Sequence, residues 1–437
     1  MPIHHAHHHK RHFHRHHLTL RRDLGLLTAT LAGIGIIVGA GIYALIGQAT
    51  GLAGNAVWLS FLIGAVLAIF TGFSYAELSS MFPKDAGEYI YVEHAFGRPA
   101  GFTIGYLVII AGIISAAAVS LGFAGYLAVI TGSGSIILFA LLALAVFSFI
   151  NYFGIRQSTH LSIAFTVLGL LGLGVIIALL PGSFLAVDYL ALPHGLSGLF
   201  QAASLIFFAF LGFESIVKLS EETKNPRKTI PLAMLFAIGI STVIYILVAL
   251  AAVSVLGWEQ LAASRAPLAD VAALALGNYA FLFLAAVALL STASTILIIL
   301  IVTSRMLYGV GHEFKRLRFL SFIDKKHRTP KHAIIAVGAV SMLFALGGDI
   351  KFAAEVTNFA VFLTFIAINA ALIRLRYTIP AAQRLFHSPL RIGQMPLLPL
   401  ASILFSAFMI ANLELPAILT GSGLLVAGLV IYRWLSR

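Results

Sequence analysis

Gly39 and Gly41 stand inside the apolar run Ile36-Ile37-Val38-Gly39-Ala40-Gly41-Ile42. Glycine is a poor helix former and adopts non-helical angles readily, so a helix crossing lipid would unwind here first and turn bare N–H and C=O groups toward cargo. A second run, Phe207-Phe208-Ala209-Phe210-Leu211-Gly212-Phe213-Glu214, places a glycine and an ionisable carboxylate at similar depth in another apolar stretch. An ionisable group inside a membrane is a functional candidate by default. Glu214 therefore reads either as a proton carrier or as a structural carboxylate tied to backbone or a neighbouring hydroxyl.

Other groups with chemistry are few. Ser291, Thr292, Ser294 and Thr295 cluster as hydroxyls, and hard cations take oxygen ligands, so Na+ is one reading. The other is that each hydroxyl bonds the preceding turn of its own helix. His160, with an ordinary pKa of about 6.5, lies at the edge of the fifth apolar stretch. Nine of the sixteen histidines fall in the first seventeen residues, as His4-His5-Ala6-His7-His8-His9 and His12-Phe13-His14-Arg15-His16-His17. Such a tail binds Zn, Ni or Cu in a test tube, although its interleaved basic residues oppose cations. A metal-ion transporter or metal-regulated sensor is thus the alternative from another class. It needs intramembrane Asp, His or Met ligands, which the spans near the breaks hardly supply. An enzyme would need a convergent nucleophile or metal set within the spans, so none is expected, and no cofactor either.

The elements that must position these residues are membrane helices. The 437 residues are 60% hydrophobic and 10% charged, with mean hydropathy +1.00, and a soluble fold of this length cannot hide that much apolar surface. Cysteine is absent, which removes disulfides and thiolate metal sites. Twelve stretches are long enough to cross about 30 Å of hydrocarbon. The first runs from Leu24 to Thr50, the sixth from Leu199 to Ser220, the eighth from Asp270 to Gly311 and the ninth from His332 to Leu346. With the N-terminus inside, 26 of the 28 Lys and Arg fall on cytoplasmic segments or span ends, and Arg265 and Lys351 are the two outside. That partition predicts a multi-pass protein of the cell membrane with both termini cytoplasmic. The net charge of +12 is then a face signal and no nucleic-acid footprint.

The second glycine break comes five spans after the first, and paired breaks at corresponding places in two halves point to an inverted-repeat transporter. Gly33, Gly35, Gly64 and Gly174, taken singly, read instead as helix-contact glycines.

At this point the motifs carry a family resemblance. Gly39-Ala40-Gly41-Ile42-Tyr43, Tyr75-Ala76-Glu77-Leu78, Gly87-Glu88-Tyr89-Ile90-Tyr91 and Ala95-Phe96-Gly97 precede the long run from Phe207 to Glu214. Glu221-Glu222-Thr223-Lys224-Asn225-Pro226-Arg227 and Ser304-Arg305-Met306-Leu307-Tyr308 follow it. Together they resemble the amino acid, polyamine and organocation (APC) transporter superfamily. The resemblance implies an all-α, LeuT-like fold of 12 transmembrane helices: residues 23–180 and 198–376 as 5+5 inverted repeats, broken helices 1 and 6, and two C-terminal helices in 396–437. Residues 1–22 would be a disordered tail.

The implied substrate is an amino acid. Its carboxylate would meet N–H groups of Gly39, Ala40 and Gly41; its ammonium would meet carbonyls of Phe208, Ala209, Leu211 and Ile37. Phe208 aligns with an aromatic gate, and Ala111, Gly112, Ala116, Thr292 and Ile296 with the side-chain pocket. That small uncharged wall favours a neutral amino acid over a cationic one or a polyamine, because a second charge needs a partner. Some proton-coupled relatives carry a lysine in the fifth span, where this chain has Gly169. Glu214 and His160 for H+, Ser291, Thr292 and Thr295 for Na+, and exchange without an ion are the alternatives. Glu77 suits a structural or gating ion pair, and the loops holding Lys84, Asp85, Glu88 and Glu221–Arg227 read either as an inner gate formed by their pairing or as solvated connectors. The basic segment from Arg316 to Arg328 suits anionic lipid headgroups.

Overall fold

A computed structural model describes residues 24–82, 87–132, 134–154, 158–180, 187–379 and 386–436, without the side chains of 158–163 and 221. The histidine tail, Lys84, Asp85 and the His160 side chain lie outside the described residues. Within them, eight helices are long and apolar enough to cross a membrane, and shorter apolar helices accompany these.

The first apolar stretch forms two helices, α1 (Leu26–Ile37) and α2 (Ala40–Ala53), followed by α3 (Val57–Met81). A short helix, α4 (Glu88–Phe96), precedes α5 (Arg98–Thr131), which starts with Pro99 in its first turn, where a missing N–H removes no hydrogen bond. Next come α6 (Ile136–Phe153), opened by Ser135 whose hydroxyl accepts from Leu138 N–H, and α7 (Ser158–Ala178). The sixth stretch gives α8 (Gly195–Ile206), then two tighter 3-10 segments, Phe207–Phe210 and Phe213–Glu222. It is followed by α9 (Pro226–Leu256).

The eighth stretch departs from expectation. After α10 (Trp258–Ala263), which precedes this stretch, Asp270 falls inside a short α11 (Pro267–Leu276), and the chain turns at Gly277 with φ 87° before starting α12 (Asn278–Glu313). Hydropathy does not register a left-handed glycine that re-aims the chain without adding polarity. Residues α10 and α11 contribute close over the Ala53 end of α2: a Cβ on Gly47 would lie 2.7 Å from Leu261 O, and one on Gly51 3.1 Å from Ala262 Cβ. Then follow α13 (Lys331–Ala345), α14 (Ile350–Thr378) capped by Asp349, a two-stranded hairpin β1 (Arg391–Ile392) and β2 (Met395–Pro396), α15 (Leu397–Ala411) and α16 (Leu415–Leu435).

α5 and α14 carry the most continuous buried faces, and α5 presents small side chains at Ala116, Ala117, Ala118 and Gly122. Lipid gives no hydrophobic drive between helices, so close backbone approach through such residues supplies the contact. Gly33 and Gly64 behave this way: added Cβ atoms would lie 2.7 Å from Ile216 Cδ1 and 3.2 Å from the Phe210 ring. Gly174 differs and faces open space, with nothing within 4 Å.

One buried ion pair fixes the Met81 end of α3. Arg376 on α14 donates from Nε to Glu77 Oε1 (2.8 Å) and from a terminal nitrogen to Oε2 (2.5 Å), with both side chains buried. Ser388 N–H adds a third donor to Oε2 at 2.7 Å, and Arg376 returns a bond to Ser388 O. The pair expected at Glu77 therefore joins α3, α14 and the segment leading to the hairpin. Nearby, Leu24 bridges in parallel to Thr223, with Leu24 N–H on Glu222 O (3.0 Å) and Lys224 N–H on Leu24 O (2.8 Å). The outer ends of both interrupted stretches are thus tied together. Glu88 is buried and accepts from Tyr75 OH.

Removing one partner of a buried pair leaves an uncompensated charge and costs about 3–5 kcal/mol. Glu77→Gln and Arg376→Gln are each expected to lower the melting temperature of the detergent-solubilised protein sharply. The double variant Glu77→Gln/Arg376→Gln should lose less than the sum of the two. Single variants melting with the wild type would refute the clamp.

Candidate functional site

The first interruption lies at Val38 and Gly39. Val38 N–H still reaches Ile34 O at 2.7 Å, but Val38 takes ψ 87° and Gly39 ψ −144°, so the α1 ladder ends and α2 restarts. Gly39 N–H turns onto Ile37 O (2.9 Å), and Ala40 N–H donates to Thr295 Oγ1 on α12 (3.3 Å). Two of the three N–H groups expected to be free therefore have protein partners. The groups that a fresh helix start leaves without an intrahelical acceptor are those of Gly41 and Ile42, one step further on.

The second interruption follows α8. Leu211 is extended at ψ 137°, and Gly212 has φ 111°, a left-handed conformation that side chains rarely adopt. Gly212 N–H donates to Glu214 Oε2 at 2.9 Å, and Leu211 N–H to Phe208 O at 3.3 Å. Glu214 is thereby hydrogen-bonded to the backbone of the break itself.

The two interruptions lie against each other. A Cβ on Gly41 would lie 2.5 Å from Ala209 Cα, and one on Gly212 2.8 Å from Ile36 Cγ2 and 3.1 Å from Ile36 O. No side chain fits at either crossing. Tyr245 on α9 joins them: its hydroxyl lies 3.0 Å from Ile37 O and 2.9 Å from Ala209 O, both accepting. Its ring is fully buried between Phe61 and Phe210, with centroids 5.3 and 5.4 Å away. Sequence reasoning missed Tyr245. A polar-tipped aromatic in an otherwise aliphatic stretch was the available signal, since a buried phenol needs a partner.

The sequence that folds this way is matched by a family model. The model for amino acid permeases covers residues 24–434. The chain belongs to the amino acid permease family. A branched-chain amino acid permease of Bacillus subtilis (strain 168) is 30% identical over 446 residues, covering 96% of this chain and 94% of the relative. An inner membrane transport protein of Escherichia coli (strain K12) is 28% identical over 83% of this chain and 85% of its own length. The cationic amino acid transporter 4 of Mus musculus is 28% identical over 85% of this chain and 62% of the longer relative. Membership of a transporter family within the APC superfamily makes this a multi-pass membrane permease whose substrate is a small molecule, an amino acid.

Other residues singled out from the permease's sequence fall in several places. Phe208 and Ala209 are buried in the second interruption, and Ile37 in the first. Thr295, on α12, meets the first break, accepting from Ala40 N–H and donating to Ser291 O at 2.9 Å. Thr292 turns back on its own helix, bonding Ala288 O at 2.7 Å, and Ile296 is fully buried. Ala111 and Ala116 are buried on α5. Gly112, however, meets Thr303 of α12, about 12 Å along that helix from Thr295, which makes it a helix-contact glycine. At Gly169 the carbonyl accepts from Tyr43 OH at 2.6 Å, and Tyr43 O in turn accepts from Tyr126 OH at 3.1 Å. These bonds hold α2 to α7 and α5.

Tyr245→Phe leaves two buried carbonyls without their donor and is expected to cost about 1–3 kcal/mol. Gly41→Ala forces a methyl group into backbone, for a similar loss of about 1–3 kcal/mol. Gly174→Ala, in open space within the α7 helix, should instead gain up to about 1 kcal/mol. Thermal melting in detergent orders the three; Gly41→Ala melting at or above Gly174→Ala would contradict the crossing.

Proposed function

We propose that this permease is a secondary transporter that moves a neutral amino acid across the cell membrane by alternating access. In this reading it has twelve transmembrane helices with both termini cytoplasmic, and spans one to five and six to ten form inverted repeats around broken helices 1 and 6. The substrate carboxylate is received by the N–H groups at the start of α2, and its ammonium by carbonyls of the segment from Phe208 to Leu211. Phe208 closes over it.

The observation that carries this reading is the contact of the two interruptions, Gly41 on Ala209 and Gly212 on Ile36, with Tyr245 across them. Backbone offers donors at one break and acceptors at the other without a side-chain charge, which suits a zwitterion that must load and unload. Buried Ala116 and Ile296 favour a neutral side chain, as does likeness to a branched-chain amino acid permease along 96% of the chain.

A cationic amino acid is the second reading, favoured by likeness to a cationic amino acid transporter and by Glu214 beside the break. Against it, the Glu214 carboxylate already accepts from Gly212 N–H.

Reconstituted or detergent-solubilised protein melted with branched-chain, other neutral and cationic amino acids and polyamines separates the readings. Ligand at about one hundred times its Kd stabilises by about 2.7 kcal/mol, so a neutral L-amino acid is expected to raise the melting temperature by several degrees and its D-isomer not. Arms at two pH values, with and without Na+, report which ion changes the ligand's affinity. A response confined to arginine, lysine or polyamines would overturn the neutral reading.

A further inference from the structure

Away from the interruptions, a cleft of about 740 Å3 opens between the Phe153 end of α6, α12 and the loop that leads into α13. Ile150, Phe153, Leu297 and Ile301 line it with apolar surface, the buried Asn151 and Ser304 hydrogen-bond each other in its wall, and Arg305, Lys326 and Arg328 add basic groups. Arg305, Lys326 and Arg328 are exposed, and among the described residues none has an ion-pair partner. The helix surfaces beside the cleft expose Phe149, Phe153, Ile298 and Val302, an apolar skirt of the kind that faces acyl chains.

The rim is built and not merely charged. Asp324 N–H donates to Thr329 O (2.9 Å) and Arg328 N–H to Asp324 O (2.8 Å), closing the loop on itself. Thr329 Oγ1 then docks it on Tyr152 O at the end of α6 (2.8 Å), and the His327 ring packs on Tyr152 and Phe153. Asp324 in the same loop is satisfied by N–H groups of Lys326 and His327 and by the His327 ring, and the His327 backbone bond holds it below the usual carboxylate range. Arg328 has φ 56°, where glycine would be cheaper, so the loop carries a guanidinium at a position its backbone would prefer to leave bare.

We propose that this cleft binds an anionic phospholipid, its phosphate held by Arg305, Lys326 and Arg328 and one acyl chain lying along Ile150, Phe153 and Ile301. Guanidinium groups match phosphate oxygens in pairs, and basic pockets between membrane helices at the bilayer edge take acidic headgroups. The apolar half distinguishes a lipid from a free phosphate.

The test is native mass spectrometry of the full chain in detergent with phosphatidylglycerol, phosphatidylcholine of the same chains, or inorganic phosphate. The wild type is expected to retain phosphatidylglycerol in preference to phosphatidylcholine, and millimolar phosphate should not displace it. Two basic residues at a headgroup surface predict a roughly thirty-fold weaker phosphatidylglycerol affinity in Arg305→Gln/Arg328→Gln. Arg305→Lys/Arg328→Lys, which keeps the charge, should retain most of it. Lys315→Gln/Arg318→Gln, which removes equal charge from the neighbouring groove, should change it little. Melting curves establish that the variants are folded. Undiminished binding in the first variant, an equal loss in Lys315→Gln/Arg318→Gln, or displacement by phosphate would each overturn the proposal.

Discussion

Inside lipid a backbone N–H or C=O must find its partner within the protein, because no water is there to supply one, and each failure costs several kcal/mol. Every unusual feature at the centre of this permease follows from that constraint. Ending α1 at Ile37 and restarting at Ala40 orphans donors and acceptors, and so does opening the chain at Leu211 and Gly212. The protein answers with side chains from elsewhere. Thr295 accepts from Ala40 N–H, Glu214 accepts from Gly212 N–H, and Tyr245 donates to carbonyls on both sides. The interruptions are therefore a shared polar structure, and neither could be satisfied in the same way without the other nearby.

Close packing makes that sharing possible. A phenol reaches two carbonyls on different segments only if those segments nearly touch, and they nearly touch because Gly41 and Gly212 carry no Cβ at the crossings. The same economy of side chain recurs where α5 meets its neighbours, at Gly122 against Ala44 and Gly112 against Thr303. Around this centre the Glu77–Arg376 pair and the Leu24–Thr223 bridge hold the ends of the elements that are broken or that flank the breaks. A buried pair with additional hydrogen bonds is specific in geometry even where its net contribution to stability is small.

Much of the fold was legible because hydrophobic length is a local property. The ninth stretch, expected from His332 to Leu346, agrees with α13 (Lys331–Ala345) to within one residue at each end. The glycine runs marked both interruptions for the same reason: a residue without a side chain weakens a helix wherever it sits. What escaped was non-local. Nothing in the eighth stretch distinguishes one continuous helix from the end of a short helix, a turn at Gly277 and a second helix, since all are apolar. Gly112 was expected at a pocket and lies on a helix contact; Gly174 was expected on a contact and faces open space. A glycine's meaning depends on what stands opposite it.

Composition and spacing by themselves determined that this chain lives in a bilayer, where its helices run, and at which two places they falter, because burial in lipid and helix propensity are summed over neighbours in sequence. Only the tertiary structure decided which orphaned groups remain for a ligand. Gly39 and Ala40 looked available along with Gly41, yet their N–H groups are taken by Ile37 and Thr295. Tyr245 drew no expectation from the sequence, yet it spans both breaks. A hydrogen bond forms between atoms within about 3 Å, and residues 36 or 255 positions apart reach that distance only when the helices carrying them have packed.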